Sequence, residues 1–96
     1  MKWDELKRSL RVGSRVAGFV TRHEPFGVFV EIPGIPFEGL VQITGFKDEG
    51  RMTVDEFPPF GSPLAAVVLG FKETGQQIWL GVKPSQLSGT QEVGGI

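Results

Sequence analysis

Cysteine is absent from this 96-residue chain and histidine occurs once, and these two shortages remove most routes to catalysis. Without a thiol there is no disulfide, no thiolate metal site and no cysteine nucleophile. His23 has no partner histidine, and no glycine-rich phosphate loop is present. The paired acids Asp48-Glu49 and Asp55-Glu56 stand in a charged stretch with no metal-ligand spacing around them, which is the ordinary pattern of a solvated loop. No segment nears the roughly eighteen apolar residues that a membrane span requires. The start of the chain, Met1-Lys2-Trp3-Asp4-Glu5, is acidic and amphipathic and does not read as a secretion signal. A non-catalytic, cytoplasmic, single-domain protein is expected, with no cofactor, no metal, no membrane contact and monomer as the default state.

Bulk positive charge is also missing, since the formal net charge is −1. Its distribution is uneven. Residues 1–23 carry six basic side chains against two acids, whereas residues 24–60 carry seven acids against two bases. A chain with this layout can have a basic side despite its total. Arg8, Arg11, Arg15 and Arg22 read equally well as a solvated face or as a track for phosphates.

What is present is a pattern of short strands. Trp3, Leu6 and Leu10 fall at i, i+3 and i+7, so residues 2–10 predict a short amphipathic helix. A first strand is expected over 14–23, with Val16 and Val20 inward and Gly18 allowing a sharp bend. Pro25 separates it from a second strand, 27–32, in which Val28, Val30 and Ile32 point in while Phe29 and Glu31 point out. Pro33-Gly34-Ile35-Pro36 is turn chemistry, and a third strand follows over 37–43. Residues 44–62 predict a long loop with one helical turn. The fourth strand, 63–72, is almost continuously apolar. The fifth, 77–82, places Ile78 and Leu80 inward and Trp79 outward. Trp3 and Trp79 read as packing residues, and His23 as half-buried structure. The Ser, Gly, Thr and Gln content from Ser88 onward suggests a flexible tail, with 84–96 set apart from a barrel over 11–83. Five short strands with a long third connection make the chain all-β, a five-stranded closed barrel with a short N-terminal helix.

One segment stands out within this layout. In Pro25-Phe26-Gly27-Val28-Phe29-Val30 two phenylalanines flank a glycine, and outward aromatics on a strand suit base stacking. Together with Val12-Gly13, Val16, Gly18, Val20, Glu38-Gly39-Leu40-Val41-Gln42-Ile43, Gly61, Val67-Val68-Leu69 and Ile78-Trp79-Leu80, it resembles the S-one (S1) domain family. That RNA-binding repeat is named after the large RNA-binding protein of the small ribosomal subunit. The resemblance covers about residues 11–83 and implies an oligonucleotide-binding (OB) fold whose second and third strands carry the ligand.

It further implies that Phe26 and Phe29 are the family's stacking pair. The family's third-strand histidine falls on Gln42, which can still hydrogen-bond a base edge or ribose. The aspartate common at the end of strand four falls on Lys72, which favours phosphate. The arginine common at the start of strand five falls near Gln77, and the serine after the last strand's leucine is Gly81. Phe19 would add a third outward aromatic, and Arg15 and Arg22 would join Lys72 as backbone contacts. Single-stranded RNA with little sequence preference is the expected partner. A protein-interaction module using the same aromatic face, docked on a ribosome or another RNA-associated protein, is the alternative.

Overall fold

A computed structural model describes residues 1–87, so the tail expected from Ser88 lies outside the described residues. Helix α1 (Trp3–Ser9) precedes β1 (Arg15–Glu24), β2 (Gly27–Glu31) and β3 (Gly39–Gln42). Two single turns of 3-10 helix, η1 (Ile43–Gly45) and η2 (Val54–Glu56), interrupt the long loop before β4 (Pro63–Lys72) and β5 (Gln77–Gly81). The strands close in the order β1-β2-β3-β5-β4, with β4 paired back onto β1 and β3 running parallel to β5. The expected five-stranded barrel is therefore the observed one. The third strand starts two residues later than expected, because Phe37 turns toward α1 instead of entering the ladder.

The inward side chains are the ones that alternation selects. Val20, Val28, Val30, Val41, Ile78 and Leu80 are each no more than 1% exposed. Burying each contributes about 1.5–3 kcal/mol before entropy is counted. Gly18 lies where β1 leaves β4 and takes up β2. A Cβ there would overlap the Glu31 carbonyl oxygen and the Val30 side chain, so only glycine permits the approach.

Two bulges set which residues face out. From Val20 to Arg22, β1 advances two residues while β2 advances one, from Val30 to Phe29. From Val68 to Gly70, β4 does the same against Leu80 and Trp79. The extra residues are Thr21 and Leu69. Each bulge reverses the alternation beyond it, so Arg22 and Lys72 face out where an unbroken strand would turn them inward.

The barrel's two ends are sealed differently. At one end Trp3 of α1 meets the edges of Phe37 and Phe71, with ring centroids 5.1 and 5.9 Å away. Its indole Nε1–H donates to Glu73 Oε1 at 3.0 Å, and Lys7 Nζ donates to Glu73 Oε2 at 2.9 Å. At the other end Phe57 is buried against Phe46 and His23, each 5.6 Å away. His23 is more exposed than its sequence context suggests, but it is structural: its Nε2 lies 2.7 Å from the Pro58 carbonyl and must donate to it. Residues 84–87, within the expected tail, form a helical turn whose Ser85 amide and hydroxyl both donate to Asp48.

Two expectations follow. Gly18→Ala should cost about 1–3 kcal/mol in urea unfolding through the backbone overlap. Gly70→Ala, where a Cβ would make an ordinary contact with Trp79, should be close to neutral. Second, the hydrogen bond from Lys7, and then that from Trp3, hold the Glu73 carboxyl below its ordinary value of 4.5. A lowered folded-state value stabilises the fold above about pH 4.5, and that contribution is lost as pH falls through the lowered value. In a Trp79→Phe background, Trp3 fluorescence should report an acid transition below pH 4.5 that Glu73→Gln abolishes.

Candidate nucleic-acid interface

The β1–β2 hairpin and β3 place the expected ligand residues. Gly27 lets β2 and β3 come close, since a Cβ there would overlap the Val41 carbonyl oxygen. Gln42 stands opposite Gly27, and the Ile43 amide donates to the Phe26 carbonyl at 2.7 Å. The exposed Gln42 amide and the Phe26 ring therefore share one edge of the sheet. Phe26 is 51% exposed.

Phe29 departs from expectation. Its outward parity holds, and it stays outside the core cluster, yet it is only 4% exposed. Three neighbours cover it. Leu40 stands beside it in the β2–β3 register, Phe26 meets it edge-on at 6.0 Å and 86°, and Arg22 lies over the ring with Cζ 3.9 Å from the centroid. Outward parity says which side of the sheet a ring is on and leaves open what lies above it.

Arg22 is in turn held by two carboxylates. Its Nε donates to Glu24 Oε2 at 3.1 Å, and its Nη1 lies 3.7 Å from Glu38 Oε2. The residue at the bulge supports this arrangement, because the Thr21 hydroxyl donates to the Phe29 carbonyl at 3.3 Å. Across the sheet the outward row runs Arg22, Phe29, Leu40, Trp79, Gly70.

The remaining predicted residues flank this row. Phe19 is 46% exposed and paired with Glu31, at the margin of a groove lined by Glu31, Glu38 and residues 32–37. Lys72 is paired with Gln77, and its Nζ donates to the Thr74 carbonyl at 2.6 Å. Arg15 is not gathered in. It pairs with Val67 on the β4 side of the barrel, up to about 23 Å along β1 from Arg22. Glu24 and Glu38 went unassigned in the sequence. The Arg22/Glu24 spacing of two was a usable signal, since such residues share a strand face.

A closed barrel of this order, with an exposed aromatic at its second strand, belongs to the oligonucleotide-binding fold. The chain is a member of the S1 RNA-binding domain family, whose model matches residues 9–83. It is 28% identical over 81 residues to small ribosomal subunit protein bS1 of Chlamydia muridarum, covering 84% of this chain and 14% of that one. Against bS1 of Neisseria meningitidis serogroup B the identity is 33% over 89 residues, covering 91% and 15%. The chain thus spans about one seventh of these ribosomal proteins. Among solved structures, GSP13 from Bacillus subtilis superposes with a TM-score of 0.68 at 27% identity, over 80% of this chain and 58% of that one. Mycoplasma genitalium RNase R in complex with ribose-methylated single-stranded RNA gives 0.66 at 19% identity, over 83% and 14%. The latter likeness concerns the fold alone.

The two phenylalanines should separate in stability. Phe29→Ala is expected to cost about 2–4 kcal/mol in chemical unfolding, because it empties a packed position. Phe26→Ala should change stability by less than about 0.5 kcal/mol, as at other exposed sites.

Proposed function

We propose that this chain binds single-stranded RNA with little sequence preference, as a non-catalytic cytoplasmic module. The observation that carries the reading is the half-exposed Phe26 ring beside the exposed Gln42 amide on the ligand strands of an S1 barrel. Phe26 offers a stacking surface that any base can use, and Gln42 a contact to a base edge or ribose. Lys72, turned outward by the β4 bulge, supplies a phosphate contact. Glu24, Glu31 and Glu38 beside this surface limit electrostatic attraction, so affinity is modest and led by stacking. The ribosomal relatives favour a ribosome-associated RNA as the partner, and the RNase R structure of similar fold was solved with single-stranded RNA bound.

The test is a fluorescence titration with a labelled oligoadenylate of about ten nucleotides, within the span of one such barrel, at low and high salt. Phe26→Ala should weaken binding about tenfold with the fold intact. Lys72→Ala should reduce the log–log salt slope by one phosphate contact, about 0.7 for a single strand. No binding by the unsubstituted chain at either salt would refute the reading and leave protein docking in its place.

A further inference from the structure

We infer that Arg22, stacked on Phe29, is itself the second base-stacking plane of this site, and that Phe29 serves as its support. The inference rests on the RNA-binding reading above and assigns Arg22 a role other than phosphate contact.

Three observations lead there. Phe29 has no face to offer, being 4% exposed beneath Arg22. Arg22 retains 49% of its side-chain exposure while its Cζ sits 3.9 Å from the ring centroid, so the guanidinium lies over the ring and still reaches solvent. The charge of Arg22 is already compensated by Glu24 at 3.1 Å and Glu38 at 3.7 Å. An arriving phosphate would have to displace a carboxylate, whereas an arriving base would not. Guanidinium planes accept bases much as aromatic rings do, and a cation lying on a ring is held there by the ring's quadrupole. The two glutamates act as positioning residues that hold the guanidinium over Phe29.

The arrangement also selects the form of the ligand. The Phe26 and Phe29 rings are 86° apart, so a base on Phe26 and a base on a guanidinium parallel to Phe29 would face different directions. Two neighbouring bases can use both only when splayed apart, which a single strand permits and a duplex does not.

The test separates planarity from charge. Arg22→Lys keeps the cation and removes the plane. With the same labelled oligoadenylate, it should bind about tenfold more weakly than the unsubstituted chain, with an unchanged salt slope and an unchanged thermal midpoint. Phe29→Leu should weaken binding when Arg22 is present and have no further effect when combined with Arg22→Lys. Equal affinity of Arg22→Lys and the unsubstituted chain, with a lower salt slope for Arg22→Ala, would make Arg22 a phosphate contact and overturn the inference. Tighter binding by Arg22→Ala would make Arg22 a lid over Phe29 and overturn it too. Failure of the unsubstituted chain to bind would remove the RNA reading itself, an outcome distinct from either of these.

Discussion

The extra residue in β1 at Thr21 governs most of what this molecule presents to its surroundings. Without it the alternation begun at Val16 and Val20 would carry Arg22 into the barrel and His23 out. With it, Arg22 lands on the Phe29 ring and His23 turns to the barrel mouth, where it bonds the Pro58 carbonyl. Burying an unpaired guanidinium in an apolar barrel would cost several kcal/mol, so the bulge is also a condition for the barrel to close. The Thr21 hydroxyl on the Phe29 carbonyl anchors it. The bulge at Leu69 does the corresponding work in β4, turning Phe71 toward Trp3 and Lys72 outward.

Closure depends equally on places where side chains are missing. Gly18 and Gly27 stand where another strand's carbonyl occupies the space a Cβ would fill. The glycine between the two phenylalanines is thus a packing requirement of the β2–β3 approach, and the aromatic pair is mounted on it. The ends of the barrel are closed by α1 on one side and by Phe57 on the other. Helix α1 is too short to be stable alone and is secured by Trp3 and by the Glu73 carboxylate that joins it to the β4–β5 turn.

The face so formed carries more acidic than basic side chains. Arg22 faces Glu24 and Glu38, and Glu31 sits beside Phe19. A surface of this kind attracts nucleic acid weakly at long range. On the reading proposed above, planar groups at short range then matter more than net charge. That is consistent with a member of an RNA-binding family whose total charge is −1.

Much of the fold was legible because strands repeat with period two. The alternation of Val28, Val30 and Ile32 with Phe29 and Glu31, and of Ile78 and Leu80 with Trp79, placed inner and outer faces correctly without any partner strand. Pro25, Pro33 and Pro36 marked where the ladder had to stop, and the spacing of Trp3, Leu6 and Leu10 marked the helix. The positions of Phe26 and Gln42 beside each other on the sheet likewise followed from the family pattern. Phe29's burial could not be read this way, because it is set by Leu40, Phe26 and Arg22, which arrive from three other segments. By itself, then, the sequence determined the barrel, its inner face and the position of its aromatic pair, all of which depend on local periodicity. Only the tertiary structure decided that one of those rings is covered and by what, because a one-residue bulge with no local signature reverses the strand that supplies the covering arginine.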